Sequence, residues 1–194
     1  YDIIVLHDNA YSELVFDGQS CGSFLSIPGA MEVGVEFNSL SKTYGLAGAR
    51  IGFCVGNKEV VGMLKTLKSN MDYGMFLPIQ AAAVEALTGN QAVVAETRAA
   101  YEHRRDVLCD GLIEAGWHME KPAGTMFVWA PIPDSYQDSE SFVADLLDKT
   151  GVLVTPGGAF GPSGEGYVRM ALVQSEDTMK KIVEAVAASG IFSK

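Results

Sequence analysis

Basic residues are scarce in this chain: 14 Lys and Arg stand against 24 Asp and Glu in 194 residues, a formal net charge of −10. A face that offsets nucleic-acid phosphates or an anionic bilayer needs the opposite balance, so neither is expected as a partner. Cysteine is scarce as well, with Cys21, Cys54 and Cys109 far apart and outside any CxxC spacing. That spacing points to no zinc motif or disulfide framework, and a reducing, cytoplasmic setting fits best. No apolar run reaches the length of a membrane span, and the N-terminus lacks a basic-then-apolar signal pattern. Internal repeats and low-complexity segments are missing too.

What is present is ordinary for a folded chain: 48% hydrophobic and 20% charged residues, on a length that can bury a real core. Tyr1-Asp-Ile-Ile-Val-Leu6 reads as a buried parallel strand with neither an initiator methionine nor a leading loop. The chain is therefore expected to start inside a domain.

The most informative stretch is Asn38-Ser-Leu-Ser-Lys-Thr-Tyr-Gly-Leu-Ala-Gly-Ala-Arg50. It sits between the apolar-leaning run Val33-Gly-Val-Glu-Phe37 and the strand-like Arg50-Ile-Gly-Phe-Cys-Val55. By itself a lysine in a Gly/Ser loop is a solvated surface charge. In a tight turn between two strands it reads better as a nucleophile, since a desolvated amine with other cations nearby deprotonates more readily and condenses with carbonyls.

The whole string, Ser39-Leu-Ser-Lys42 with Gly45, Gly48 and then Arg50, resembles the cofactor-lysine signature of the fold-type I, class I/II aminotransferases that use pyridoxal phosphate. The resemblance implies that Lys42 holds the cofactor as an internal aldimine. It assigns Ser39 and Arg50 to the cofactor phosphate, where a guanidinium fork suits the oxygens, with Ser41 assisting through its hydroxyl or backbone. Tyr44 receives no role.

Earlier in the chain, His7-Asp-Asn-Ala-Tyr11 lies where a parallel strand would deliver its C-terminal end, the end at which open α/β sheets gather ligand groups. Taken alone, Asp8 is a turn or cap residue and Tyr11 a half-buried aromatic at a loop edge. Under the resemblance, Asp8 faces the pyridine nitrogen and keeps it protonated, and Tyr11 hydrogen-bonds the phenolic oxygen. His7 is read as a packing or capping residue.

Helical periodicity marks residues 57–69, with Asn57 as cap and Met63 as core filler, then a helix from Pro78 through Leu87 ended by Gly89. A long helical pattern runs from Asn90 to Ala115, and its charged stretch Glu102-His-Arg-Arg-Asp106 reads as a solvated face. Strands are expected at 125–132, 152–155 and 167–172, and helices at 139–150 and 175–188. The fold expected is α/β: residues 1–100 as the C-terminal part of a large cofactor-binding domain with a mainly parallel sheet, and 101–194 as a small α+β domain.

Two features of the second half stand out. Pro156-Gly-Gly-Ala-Phe-Gly-Pro-Ser-Gly-Glu-Gly166 is glycine-rich, but a strand follows it instead of a helix, so it is no P-loop. Arg169 places a guanidinium inside the apolar strand Tyr167-Val-Arg-Met-Ala171, where it needs a partner. The resemblance makes Arg169 the clamp on the substrate α-carboxylate, and lets Gly124 give the substrate close approach.

The function implied is exchange of an amino group between an amino acid and a 2-oxo acid, in a cytoplasmic homodimer about twice this length. Gly124-Thr-Met-Phe-Val-Trp129 and Pro156-Gly-Gly-Ala-Phe-Gly161 look most similar to the bacterial branch acting on alanine, aspartate or LL-diaminopimelate. Two alternatives stand beside it: a pyridoxal-phosphate-dependent β-lyase cleaving a carbon–sulfur bond, or an inactive fragment or binding module. The 194 residues by themselves are expected to be inactive.

Overall fold

The computed structural model describes residues 2–192, in two compact units, Tyr1–Arg98 and Ala99–Lys194. In the first unit β1 (Val5–Asp8), α1 (Ala30–Val33), β2 (Gly34–Ser39), α2 (Leu40–Thr43) and β3 (Gly52–Gly56) precede α3 (Lys58–Met71) and α4 (Leu77–Thr88). Helix α5 (Ala92–Glu114) contains the division between the units. The second unit continues with β4 (Phe127–Pro131), α6 (Ser139–Thr150), β5 (Thr155–Pro156), β6 (Tyr167–Ala171) and α7 (Glu176–Ser189).

The first sheet has the order β1-β2-β3. Strands β1 and β2 pair in parallel, Val5 opposite Gly34 through Asp8 opposite Phe37. Strand β3 returns antiparallel, Ser39 opposite Gly52, because only single helical turns join it to β2 and a parallel crossover uses a packed helix. The expected opening strand is shorter than its apolar run: Ile3 and Ile4 precede β1, both are exposed, and Tyr1 lies outside the described residues. Leu6 is exposed within β1, which pairs with β2 alone among the described strands.

Helix α3 starts where its cap predicts, with Asn57 Oδ1 accepting from the amides of Glu59 and Val60. Its apolar stripe is not core, however. Met63 is 64% exposed and Leu67 59%, so Met63 is a surface residue rather than core filler. Periodicity reports which side chains share a face, and says nothing of what covers that face.

The second sheet has the order β4-β6-β5, with both pairings antiparallel. The short strand expected at 152–155 is displaced to Thr155–Pro156, where the chain first comes into register with β6. Val128, Ala130, Val168 and Met170 point to the buried side, where Phe142 and Leu146 of α6 pack with them. Trp117 is buried in the same core, its ring stacked on Phe192 at 4.6 Å and its Nε1 donating to Pro131 O at 2.8 Å. Helix α6 is capped by Asp138, which accepts from the Ser141 amide at 2.7 Å, and ends at Gly151 in the left-handed region.

One sequence expectation fails in α5. Arg105 belongs to the stretch expected to face solvent, yet it is 2% exposed. Its guanidinium reaches Asp106 at 2.8 Å and donates to Pro122 O at 3.1 Å, so carboxylate and carbonyl acceptors replace water around it.

The β2–β3 pair has no room for a side chain on Gly52, at the end where the turn that carries Lys42 joins the two strands. A Cβ on Gly52 would lie 2.5 Å from the carbonyl oxygen of Asn38, a backbone atom that cannot rotate away. Gly52→Ala is expected to destabilise the protein by about 2 kcal/mol, read as a lower urea midpoint. An unchanged midpoint would show that β3 accommodates the methyl group without cost.

Candidate active site

Parallel pairing brings the C-terminal ends of β1 and β2 side by side. Asp8 ends β1, and the next amide, Asn9 N, continues the ladder to Phe37 O at 2.8 Å. Because side chains alternate along a strand, Asp8, Phe37 and Ser39 share one face of the sheet. The side chain of Asp8 is exposed there.

Ser39 turns the chain out of β2. Its backbone is extended and its Oγ accepts from the Ser41 amide at 3.1 Å, which caps the single turn α2. Leu40 is buried beneath the turn, and Gly45 leaves it with φ 66°, a left-handed conformation suited to glycine. Lys42 therefore sits on a short, anchored turn. It is half-buried, and its Nζ lies over the ring of Tyr11, 6.0 Å from the centroid. Among the described residues no carboxylate forms an ion pair with Lys42.

Arg50 is the residue where the turn rejoins the sheet. Its φ of 54° is a left-handed conformation unusual for a residue with a side chain, and strain of this kind concentrates at functional loops. Its Nη1 donates to Ala47 O at 3.0 Å. The structure thus brings Lys42 to Tyr11, puts Asp8 and Ser39 on one sheet face, and places Ser41 in the turn that carries Lys42. The Arg50 guanidinium is held within its own turn and is otherwise exposed.

The opposite face of the same strands carries a residue that sequence reasoning passed over. Glu36 is 4% exposed, and its carboxylate accepts from Ser23 Oγ at 2.6 Å, Asn38 Nδ2 at 2.9 Å, Asn9 Nδ2 at 3.0 Å and the Phe24 amide at 3.0 Å. His7 Nδ1 lies 3.0 Å from the same group. Burial alone would raise the pKa of this carboxyl, but the hydrogen bonds from Ser23, Asn9, Asn38 and His7 outweigh it and lower the value to about 2. His7 and Asn9 flank Asp8, so Glu36 braces the end of β1 from behind. A signal was available in the sequence: Glu36 is a charge between Val35 and Phe37 in a strand, the same pattern that singled out Arg169.

In the second unit Arg169 occupies the central strand β6, with Trp129 of β4 and Thr155 of β5 as its register partners. Among the described residues no carboxylate forms an ion pair with it. Its guanidinium carbon instead lies over two rings, 4.4 Å from the centroid of Phe127 and 4.4 Å from that of Phe160. Sequence reasoning missed both rings, because Phe127 comes from the neighbouring strand β4 and Phe160 from the glycine-rich loop that folds back over β6. Gly124 precedes Thr125, which has φ 70°.

A family model described as "Aminotransferase class I and II" matches residues 1–186. The LL-diaminopimelate aminotransferase of Moorella thermoacetica is 48% identical over 184 residues, covering 95% of this chain and 47% of that protein. The glutamate-pyruvate aminotransferase AlaC of Escherichia coli is 46% identical over 190 residues, covering 97% and 46%. Among solved structures, substrate-bound BacF from Bacillus subtilis matches with a TM-score of 0.91 at 36% identity, over 96% of this chain and 48% of that one. The chain spans about half the length of the curated relatives it matches.

The Glu36 network gives a pH-dependent stability with a definite sign. A carboxyl whose pKa falls from 4.5 to about 2 on folding contributes stability that is complete above pH 4.5 and is lost as the pH drops toward 2. Glu36→Gln is expected to lower stability near neutral pH by about 2 kcal/mol, since buried donors lose a charged acceptor. Urea unfolding at a series of pH values should show the difference between wild type and variant shrinking across that window. A difference that stays constant down to pH 2 would show that the charge of Glu36 does not matter to the fold.

Proposed function

Because this chain belongs to the class I and II aminotransferase family, we propose that it supplies the cofactor lysine of a pyridoxal-phosphate-dependent enzyme moving an amino group between an amino acid and a 2-oxo acid. The observation that carries this reading is Lys42: a half-buried amine on an anchored turn, over Tyr11 and without a carboxylate partner among the described residues. Since the chain covers about half of each relative, the activity is proposed for the protein that contains it.

The residues present fit the cofactor by the chemistry of their donor set. Lys42 offers an amine for the aldehyde, Asp8 an exposed carboxylate at a strand end for the ring nitrogen, and Tyr11 a phenol for the phenolic oxygen. Ser39 Oγ already accepts from the Ser41 amide, which leaves its own proton to donate to a phosphate oxygen. Arg50 gives one N–H to Ala47 and keeps the others for the same phosphate. Ser41 lies in the same turn as Ser39, two residues on, where its hydroxyl can assist.

When bound, pyridoxal phosphate supplies an aldehyde that condenses with amines and a protonated ring that accepts electrons. Asp8 would be the carboxylate that keeps the ring nitrogen protonated. With the cofactor bound, Lys42 would be the group that takes the proton from the substrate Cα as a general base and, as a general acid, delivers it to the former aldehyde carbon instead of back to Cα. Arg169 binds the substrate α-carboxylate through its in-plane N–H groups, in bidentate fashion.

The curated relatives are named for LL-diaminopimelate and for glutamate–pyruvate exchange, and we place the substrate among such α-amino acids, within amino-acid biosynthesis. A cytoplasmic homodimer is the proposed form. Free thiols at Cys21, Cys54 and Cys109 suit that reducing setting, and no described helix is long and apolar enough to cross a membrane.

Two measurements test this reading. Borohydride reduction of the cofactor-loaded protein, followed by peptide mapping, is expected to tag Lys42; a tag on Lys58, Lys65 or Lys68 instead would overturn the assignment. Arg169→Ala is expected to lower kcat/KM for the amino acid by roughly 30-fold to 1000-fold with cofactor affinity retained, and Arg169→Lys to recover part of it. Loss of cofactor with an unchanged preference for the amino acid over its amine would remove the carboxylate role.

A further inference from the structure

Resting on the reading of Arg169 as the carboxylate-binding group, we propose that Phe127 and Phe160 are positioning residues for that arginine. They hold its guanidinium in one orientation and so set how strongly the enzyme prefers α-amino acids to amines that lack the carboxylate. What supports the cation decides what it can still bind. An acidic counter-ion would occupy the N–H groups that a substrate carboxylate needs. Ring faces do not, because a cation–π contact uses the face of the guanidinium and leaves its in-plane donors available. Both rings lie 4.4 Å from the guanidinium carbon, and among the described residues no carboxylate pairs with it. A long side chain held before the ligand arrives has less freedom to lose on binding.

The glycine-rich loop then acquires a purpose that the sequence alone did not give it. Phe160 ends the 3-10 turn Gly157–Phe160. A Cβ on Gly157 would lie 2.0 Å from the carbonyl oxygen of Gly164, and a Cβ on Gly164 would lie 2.2 Å from that of Gly157. Two backbones this close admit only glycine. The loop is tied to the N-terminus of α6, where the Gly158 amide donates to Ser139 Oγ at 3.2 Å and the Ser139 amide to Glu165 Oε1 at 2.6 Å. Folded flat in this way, it lays Phe160 over Arg169 and edge-on to Trp129, with ring centroids 5.6 Å apart. Phe127 arrives from the other direction, on β4, two residues from the register partner of Arg169.

Phe160 is 48% exposed, so replacing it opens no core cavity. The experiment measures kcat and KM for an amino acid and for its decarboxylated amine, in the whole enzyme and in Phe160→Leu, Phe160→Tyr, Phe127→Leu and Arg169→Ala. Phe160→Leu keeps an apolar side chain and removes the ring face. It is expected to reduce the amino-acid-to-amine ratio of kcat/KM about 10-fold, the scale of one lost cation–π contact, mostly through KM for the amino acid. Phe127→Leu should act in the same direction, and Phe160→Tyr, which retains the ring, should restore the ratio. Equal losses for amino acid and amine would make the ring merely structural. A ratio unchanged in Phe160→Leu while Arg169→Ala abolishes it would sink the positioning role and leave Arg169 as the carboxylate group. A ratio unchanged in Arg169→Ala would instead refute the underlying reading of that arginine, and the positioning role with it.

Discussion

The first unit depends on one buried anion. A carboxylate removed from water is costly unless its lone pairs are met by donors, and Glu36 is met by side chains and backbone from three separate segments. His7 and Asn9 come from the end of β1, Ser23 and Phe24 from the loop before α1, and Asn38 from the end of β2 itself. Sharing one acceptor, these segments cannot drift apart without stranding a charge. The strand ends are held from one side of the sheet while the other side presents Asp8 and Ser39. The rigidity of those positions is supplied from the opposite face of the sheet.

The second unit meets the opposite problem, cations in apolar surroundings, by two different routes. Arg105, buried in α5, takes acceptors from Asp106 and from a backbone carbonyl at Pro122. Arg169 takes ring faces instead. The difference matters because acceptors saturate a guanidinium and rings do not. Arg105 is thereby a structural tie, whereas Arg169 retains donors for something else.

Local signals in the sequence were legible where the physics is local. Asn57 caps α3 as its position implies, and Gly89 ends α4 with its amide donating to Glu85 O at 2.8 Å. The motif from Ser39 to Arg50 could be read because its residues are contiguous. What escaped is what long-range pairing decides. Glu36 looks like one blemish in an apolar run until β1 and the loop close over it. Arg105 looks solvated until Pro122 folds onto it. Phe160 belongs to a loop and Arg169 to a strand, and nothing in their spacing announces that they touch. Met63 failed in the other direction, since an apolar stripe shows which residues face together and not whether anything lies opposite.

Both tryptophans of the chain, Trp117 and Trp129, belong to the second unit, one sealed in its core and stacked on Phe192, the other on the aromatic face beside Phe160 and Tyr167. Indole fluorescence is therefore blind to the first unit. An unfolding curve followed by emission records the melting of residues 99–192, while circular dichroism, dominated by backbone in both units, records the average. Superimposable curves would mean that the lysine-bearing unit and the arginine-bearing unit unfold as one cooperative body. A gap between them would measure their separate stabilities directly, without a label or a substitution.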